Sequence, residues 1–240
     1  MPKESNMNKN VEEYQAFKKG EIRMPSHLKA KKEEKAKLFS NRIIEFLSRA
    51  PFGVPHTMWV LIAILFFWYS VYKIELPVLY IISLGVIGAF SWTFMEYIIH
   101  RFVYHTETNS EGLTEFQISI HANHHHYPKD PERLAMPPVP GIILGAVFFG
   151  LFYLIMGIYA FAFFPGFMLG YDAYITLHYY QHRIKNPNYK PWKKLWQHHK
   201  AHHYSNPYSA FGVSTRLWDF VFGTMPKVSN KKRHVEVKAA

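Results

Sequence analysis

Three long stretches without a charged side chain dominate the middle of the chain. They run over Thr57–Tyr72, Pro77–Met95 and Val139–Tyr171. A helix of about 20 apolar residues crosses the hydrocarbon core of a bilayer, so a chain with several such stretches is expected to form membrane-spanning helices. The 33 residues of Val139–Tyr171 are too many for one span. The Pro and Gly of Phe163–Phe167, FFPGF, are typical of a turn within it.

We therefore predict an all-α integral membrane protein with four transmembrane helices in two hairpins, to which the other segments add a helical cap. The expected spans lie near residues 57–74, 77–99, 140–161 and 166–182.

The predicted domain division separates a basic cytoplasmic N-terminal segment, residues 1–56, from a membrane domain, residues 57–240. The cap of the membrane domain is expected to come from residues 100–139 and 178–225. Close to the first span, the apolar residues of NRIIEFLSRAP are compatible with an interfacial helix and equally with an ordinary linker helix.

The distribution of Lys and Arg predicts the orientation of the chain. Residues 1–56 carry 12 of these side chains, residues 183–240 carry 12 and residues 101–140 carry 3, while the first hairpin turn has only Lys73. The positive-inside rule then places both termini and the central loop in the cytoplasm. The net charge of +11 is assigned to these segments, and we expect no nucleic-acid partner. We expect a bacterial inner membrane rather than the endoplasmic reticulum.

Histidines are concentrated at the predicted cytoplasmic ends of the helices. Ten of the 15 histidines fall into four groups. Most are spaced by three or four residues, which on a helix places side chains on one face. The pair in HRFVYH is five residues apart, about 140° around an α-helix, so its members cannot both point one way unless the helix ends there. Alternatively, the two could flank one metal site or serve two metals. The groups are His100 and His105; His121, His124 and His125; His178 and His182; His199, His202 and His203.

These groups predict a metal centre at the membrane surface. Neutral imidazole binds iron, zinc and copper well, and ten rings are enough for two ions with about five each. Thiolate ligands are excluded because the chain has no cysteine. A metal transporter would place ligands along a path through the bilayer, whereas the predicted spans have no histidine at their centres. Neither HExxH nor GxSxG is present, so a zinc protease of that type and a serine lipase have no support.

Four segments together resemble the fatty acid 2-hydroxylases, a branch of the fatty acid hydroxylase/sterol desaturase superfamily. They are EYIIHRFVYH, HANHHHYPKDPERLAMPP, GYDAYITLHYYQH and HHKAHHYSNPYSAFGVSTRLWDFVFGT. The resemblance covers roughly residues 90–225 and includes the order and spacing of all four histidine groups. One HxxHH alone would be a weak signal, whereas four groups in order are specific.

The resemblance implies a four-helix membrane anchor with a cytoplasmic cap and a histidine-ligated dimetal centre. It implies two iron ions, O₂ as a co-substrate and a hydroxyl added at the 2-position of an acyl chain, free or in ceramide and other sphingolipids. Zinc can replace iron in purified protein, since it outranks ferrous iron in the general affinity order. The ligands carried over are His100, His105, His121, His124, His125, His178, His182, His199, His202 and His203.

Some relatives carry a fused cytochrome b5-type domain. We expect none here, because the 56 residues before the first span are too few and contain no haem-ligand motif. Electrons are then expected from a separate donor, cytochrome b5-like or ferredoxin-like. The other expected partners are a lipid acyl substrate and the membrane.

Two carboxylates are candidates for a supporting role in catalysis. Glu96 precedes His100 by one turn and is expected to accept a hydrogen bond from it, or to pair with Arg101. Asp130 is expected to orient His124 or His125, or to cap the turn at PKDP.

Several further polar residues are interpreted as structural. His126 and His198 adjoin the motifs and are expected to support ligands or lie at the surface, with a role as a substitute metal ligand as the alternative. Asp172 is expected to hydrogen-bond near Tyr171 and Tyr174, and Asp219 to act as a local cap or to pair with Arg216. The histidines outside the motifs are not expected to bind metal: His27, His56 and His234.

Two alternatives remain from the sequence alone. The protein could be another oxygenase or desaturase of the superfamily, acting on a sterol or carotenoid, because one kind of metal site can hydroxylate or desaturate. It could also be a non-catalytic histidine-rich metal-binding membrane protein. Formation of an O₂-dependent product distinguishes these classes, whereas metal content does not.

Overall fold

A computed structural model describes residues 37–226, except 107–109, 118–120 and 186, together with scattered positions between residues 12 and 30. His27 and His234 lie outside the described residues. The described part of the chain is helical, and no strand occurs in it. An all-α fold was expected from the long uncharged stretches, and it is confirmed at this level.

Nine α-helices follow one another in the described residues between 37 and 226, and a π turn and a 3₁₀ turn continue two of them. The helices are α1 (Arg42–Leu47), α2 (Gly53–Tyr72), α3 (Val78–Ile98), α4 (Glu111–Gln117), α5 (Asn123–His126), α6 (Pro138–Met156), α7 (Ala160–Arg183), α8 (Lys190–Tyr204) and α9 (Leu217–Val221). The π turn, Ile99–Tyr104, extends α3, and the 3₁₀ turn, Gly157–Tyr159, joins α6 to α7.

Three stretches of the described residues are long and apolar enough to cross a membrane. They are Gly53–Tyr72, Val78–Tyr104 and Pro138–Arg183, and the last combines α6, the 3₁₀ turn and α7 in 46 residues. At most 22% of the apolar window of each stretch is buried inside the protein. Apolar side chains such as Leu154 and Leu79 therefore face outwards, as expected for helices surrounded by lipid.

The turn in the third stretch lies earlier than the sequence pattern predicted. The chain breaks at Gly157, whose φ of 57° lies in the left-handed region that glycine adopts readily. Pro165 lies inside α7 instead of in a turn. The chain reverses at this break, because Phe148 contacts Phe167 at 5.3 Å and Phe152 contacts Phe163 at 4.8 Å between ring centroids. The prediction of a turn at FFPGF was wrong.

The Gly of FFPGF serves close packing. A Cβ atom added to Gly166 of α7 would lie 2.0 Å from the carbonyl oxygen of Gly85 in α3. A Cβ atom added to Gly88 would lie 2.2 Å from the carbonyl oxygen of Phe163. The two backbones therefore touch, as small residues allow at helix interfaces in membranes. Aromatic residues, including Trp59, fill the rest of this core.

An ion-pair cluster attaches α1 to the segment that precedes α6. Glu45 lies 3.0 Å from Arg49 and 2.6 Å from Arg133. Burial alone would raise the pKa of Glu45, but backbone hydrogen bonds from Phe39 and Leu38 and these two arginines lower the pKa to about 2. Glu45 therefore stays ionised and holds α1 in place above the helices.

Helix α1 begins where its sequence provides a cap. The side chain of Asn41 accepts hydrogen bonds from the amides of Ile43 and Ile44, as preferred N-cap residues do. Ile43 and Phe46 are 70% and 75% exposed, a pattern typical of an interfacial helix. Its contact with a membrane and the division at residue 56 stay predictions.

The close packing of α3 against α7 predicts opposite effects for two glycine substitutions. Ala has a higher helix propensity than Gly by about 1 kcal/mol, so Gly150→Ala on α6, where nothing lies within 4 Å of an added Cβ, should preserve or raise the thermal unfolding midpoint in detergent. Gly166→Ala should lower it by several degrees, because forced overpacking costs about 1–3 kcal/mol. Equal midpoints for the two variants would contradict this packing.

Candidate metal centre

The structure brings the ten motif histidines into two groups of five. Within each group the five ligand atoms lie within 4.8 Å of one another, and all ten rings are buried except that of His182, which is half-buried. The first group is His100, His105, His121, His125 and His202; the second group is His124, His178, His182, His199 and His203. This division matches the expectation of about five imidazoles for each of two ions.

The π turn at the end of α3 explains the spacing of five in HRFVYH. Backbone hydrogen bonds in a π-helix run between residues five apart instead of four. This wider turn brings the ring of His105 to within 5.2 Å of the ring of His100. A regular α-helix would have directed the two rings about 140° apart. The regular α-helix does end at Ile98, and the π turn that follows it allows both rings to point into one group.

Each HxxHH segment contributes to both groups, which the sequence reading did not foresee. Residues four apart are separated by about 40° on an α-helix, while neighbouring residues are separated by about 100°. His121 and His125 thus remain together in the first group, and the ring of His124 turns to the second. In α8, His203 joins the second group and the neighbouring His202 joins the first.

The nitrogen atoms in each group have the spacing of metal ligands. In the first group, the Nε2 atom of His121 lies 3.1 Å from that of His100 and 2.9 Å from that of His125. In the second group, the Nε2 atom of His124 lies 3.0 Å from the Nε2 atoms of His178 and His203. Two nitrogens held about 2.1 Å from one ion at right angles lie about 3.0 Å apart.

Backbone carbonyls set the orientation of three of these rings. Nδ1 of His100 donates to the carbonyl of Phe211 at 2.5 Å, and Nδ1 of His178 donates to the carbonyl of Leu134 at 3.2 Å. Nδ1 of His202 donates to the carbonyl of Ser209 at 2.9 Å. With the proton on Nδ1, the lone pair of Nε2 points into its group, which is the usual arrangement of metal-binding histidines.

Burial keeps the histidines outside the apolar stretches neutral. Burial and the neighbouring rings lower the pKa of His121, His124, His125, His199 and His203 well below the ordinary value. Burial lowers the pKa of His202 to about 3. Neutral imidazoles offer lone pairs to a metal at neutral pH. Five lone pairs that converge within 4.8 Å in each group suit a cation between them, so the residues fit two metal ions.

Glu96 supports the site through a loop. Its Oε1 accepts the amides of Val213 at 2.5 Å and Ser214 at 3.0 Å, and its Oε2 accepts the hydroxyl of Ser214. The direct bond expected between Glu96 and His100 is replaced by the bond from His100 to Phe211, two residues before Val213 in the same loop. Glu96 thus anchors the backbone that orients His100.

Asp219 anchors the same loop from the other side. Burial alone would raise its pKa, but hydrogen bonds from His198, Thr224 and the amide of Gly212 outweigh burial and lower the pKa. The amide of Phe211 also donates to it at 2.9 Å. His198 therefore supports the loop, as expected for a histidine beside the ligands. The expected pair between Asp219 and Arg216 is replaced by these contacts.

The remaining candidates lie around the site. Asp130 is buried, accepts the amide of Glu132 at 3.1 Å and lies 3.6 Å from Arg133. These contacts fit the turn-capping alternative, and an orienting role towards His124 or His125 stays a prediction. His126 is half-buried beside the ligands.

The partner of Asp172 is neither Tyr171 nor Tyr174, near which the sequence analysis expected its hydrogen bond. It lies 2.5 Å from Nδ1 of His56 at the start of α2. His56 therefore has a structural role in joining α2 to α7, and it lies in neither histidine group.

A cavity of about 420 Å³ is lined by residues of the apolar helices and of both histidine groups. Its apolar walls include Trp59, Trp92, Phe148 and Met168. Two histidines from each group also line it, namely His100, His121, His124 and His178. This size and lining are typical of a site for a small organic ligand.

The structure also assigns roles that the sequence did not indicate. The carbonyl acceptors of Leu134, Ser209 and Phe211 have no sequence signature, because every residue has a carbonyl group. Asp219 had a usable signal, since it is an isolated acid in the apolar run LWDFVF. An acid in such a run is buried only when it has several hydrogen-bond donors.

The fold and the site define a helical protein of the membrane type with a histidine-built candidate dimetal centre beside an apolar cavity. The chain matches the model of the family "Fatty acid hydroxylase" over residues 85–224. This match covers more than half of the chain, which therefore belongs to the fatty acid hydroxylase family. The resemblance inferred from the histidine motifs is confirmed.

Individual relatives agree with the family match. The chain is 35% identical over 195 residues to the ceramide very long chain fatty acid hydroxylase SCS7 of Saccharomyces cerevisiae, covering 79% of this chain and 49% of that protein. It is 40% identical over 147 residues to the dihydroceramide fatty acyl 2-hydroxylase FAH1 of Arabidopsis thaliana, covering 61% of this chain and 62% of that protein. The chain spans about half the length of the curated relatives it matches.

A solved structure shares the fold. The structure described as full-length scs7p, with only the hydroxylase domain visible, matches with a TM-score of 0.71 and 32% sequence identity. The match covers 78% of this chain and 71% of that one.

The expected bacterial inner membrane was wrong. The matched relatives come from two yeasts, a plant and a mammal, which are all eukaryotes. Eukaryotic relatives favour the endoplasmic reticulum over a bacterial inner membrane. Charge counts in loops indicate the cytoplasmic side of a membrane, but they do not distinguish one membrane from another.

The division into two groups predicts the metal content of paired alanine variants. Protein reconstituted with metal should bind about two ions per chain, since five imidazoles converge at each of two points. The variant His121→Ala/His125→Ala should retain about one, and His199→Ala/His203→Ala should also retain about one. Elemental analysis of the purified proteins measures this, with His27→Ala as the control. Retention of two ions by either double variant would rule out that group as a metal site.

Proposed function

We propose that the protein is an O₂-dependent dimetal hydroxylase that adds a hydroxyl at the 2-position of a fatty acyl chain, free or in ceramide and related sphingolipids. The observation that carries this proposal is the apolar cavity bordered by both histidine groups. Membership of the fatty acid hydroxylase family supports the reaction type. The names of the relatives support the acyl chain of a ceramide as substrate.

The ten motif histidines would hold two iron ions, and their nitrogen spacings fit this role. When bound, iron supplies the redox chemistry needed to use O₂ on an unactivated C–H bond. Zinc has no redox chemistry, so protein loaded with zinc should be inactive.

The overall reaction balances with one O₂, two electrons and two protons for each acyl chain. One oxygen atom replaces a hydrogen at the carbon next to the carbonyl as a hydroxyl group, and the other oxygen leaves as water. We propose that a cytochrome b5-like or ferredoxin-like donor supplies the electrons.

The residues of the chain position the substrate. The acyl chain would lie along the apolar wall formed by Trp59, Trp92, Phe148 and Met168, where it excludes water. Glu96 and Asp219 would keep the ligand rings aligned, because they hold the loop that contains Phe211. Such supporting contacts typically change metal affinity or activity by about 10–100-fold when removed.

We propose a four-span topology with both histidine groups on the cytoplasmic side of the membrane. The four long helices α2, α3, α6 and α7 would be the spans, and α1 would lie at the interface. The reversal at Gly157 supports two spans within Pro138–Arg183, and the distribution of Lys and Arg supports the orientation.

Single cysteines test this topology, because the chain has none of its own. In sealed microsomes with the cytoplasmic face outwards, Ser110→Cys should react with an impermeant thiol reagent. Lys73→Cys and Ile158→Cys, in the two turns, should react only after detergent opens the vesicles. Immediate labelling of Ile158→Cys would place the second turn on the cytoplasmic side and exclude four spans.

Isotope labelling tests the reaction. With iron, a working electron donor and a suitable lipid, the protein should form 2-hydroxy acyl chains whose hydroxyl carries the label under ¹⁸O₂ and not under labelled water. Mass spectrometry of the lipids measures this, and His121→Ala/His125→Ala is the inactive control.

Other outcomes of the same experiment would contradict the proposal. A double bond without a hydroxyl would indicate a desaturase. A hydroxylated sterol or carotenoid beside unchanged acyl chains would indicate another branch of the superfamily. If the protein binds iron and has a working donor but forms no product, the remaining alternative is a non-catalytic metal-binding membrane protein.

A further inference from the structure

Two tyrosines border the cavity beside the histidine groups. Tyr104 ends the π turn that extends α3, and Tyr174 lies on α7 one turn before His178. Both line the cavity, as His121 and His178 do. They contribute the only phenol groups, together with Tyr171, to the part of the cavity wall that the structure describes.

The two rings are arranged alike, each on a different histidine group. The ring of Tyr104 stacks on His121 of the first group, with centroids 4.7 Å apart and planes 13° apart. The ring of Tyr174 stacks on His178 of the second group, with centroids 5.5 Å apart and planes 20° apart. Each phenol is thus held by a candidate ligand ring, so its position is tied to that of the centre.

The hydroxyl of Tyr171 has a hydrogen-bond partner in the described part of the chain, whereas the other two have none there. The hydroxyl of Tyr171 accepts the amide of Met136 at 3.0 Å. Among the described residues, no hydrogen bond links the hydroxyls of Tyr104 and Tyr174 to the protein, although both side chains are partly buried. A phenol in such surroundings normally has a hydrogen-bond partner. A polar atom of a ligand in the cavity would provide it.

We propose that the hydroxyls of Tyr104 and Tyr174 form a binding site for the carbonyl oxygen of an acyl chain, and that this site sets the position of hydroxylation. A carbonyl oxygen has two lone pairs and can accept both O–H groups. The hydrocarbon tail then follows the apolar wall towards Trp59 and Phe148. The carbon next to the carbonyl is one bond from the anchored group, so it is confined beside the histidine rings on which the two phenols stack.

This proposal rests on the proposed function and explains its selectivity. The methylene groups along a saturated chain are chemically almost alike, and a purely apolar wall lets the chain slide by one carbon at little cost. A carbonyl held by two phenols fixes the register of the chain. A substrate that lacks the carbonyl leaves both O–H groups without a partner. Sites that hydrogen-bond their substrate reject such analogues strongly.

Phenylalanine substitutions test the site, because they remove only the hydroxyl groups and keep the rings that stack on His121 and His178. We expect Tyr104→Phe and Tyr174→Phe each to weaken acyl substrate binding about threefold to tenfold, the ratio for one net hydrogen bond. The double variant should yield products hydroxylated at the next carbon in addition to the 2-position. Tyr80→Phe is the matched control, because Tyr80 is exposed and packs near Tyr159, away from the cavity.

A binding measurement separates this proposal from the proposed function. Without O₂, the protein should bind a long-chain methyl ketone more tightly than the alkane of the same length, and the double variant should lose this preference. Metal content should be equal in all of these proteins. Failure of the wild type to form 2-hydroxy products, with the ketone preference intact, would overturn the proposed function alone.

The opposite result would overturn the phenol site. A double variant that still hydroxylates only the 2-position, and that binds ketone and alkane in the same ratio as the wild type, shows that the two hydroxyls do not hold the carbonyl. Loss of metal from the Phe variants would show that the tyrosines support the ligand rings instead.

Discussion

The direct backbone contact between α3 and α7 is the constraint on which the rest of the structure depends. Gly88 and Gly166 allow the two helices to touch, because a Cβ atom at either position would overlap the backbone of the other helix. Both helices then end on the same side, where they present His100 and His178. The distance between the two histidine groups therefore follows from a contact deep among the apolar helices, far along the chain from either ring.

The loop 209–214 connects the helices to the candidate ligand rings. Its carbonyls orient His100 and His202, and it is held on one side by Glu96 and on the other by Asp219. Gly212 is required there, because an added Cβ would lie 2.0 Å from the carbonyl oxygen of Thr215. Two buried carboxylates, which would be unfavourable alone, are thus stabilised by the amides of one tight loop.

Much of the fold and the site could be predicted from the sequence, and the failures have physical reasons. Uncharged stretches and histidine spacing are local properties, so the helices and the ten histidines were identifiable. The turn was misplaced because Gly166 serves helix packing, which depends on a partner distant in sequence. The assignment of His124 and His202 to opposite groups depends on how the helices face each other. Widening of the helix at His100 has no signature in the sequence.

The use of backbone carbonyls to orient the rings has a consequence for sequence variation. Every amino acid has the same carbonyl group, so Leu134, Ser209 and Phe211 could be exchanged for residues of similar bulk without loss of the acceptor. Variation at these three positions should therefore be tolerated as long as the path of the chain is kept. The constrained positions are those that shape that path, such as Ala210 with its φ of 60° and Gly212, which leaves no room for a Cβ atom. Among relatives, the path of the main chain around the site would then vary less than the identity of the side chains at these three positions.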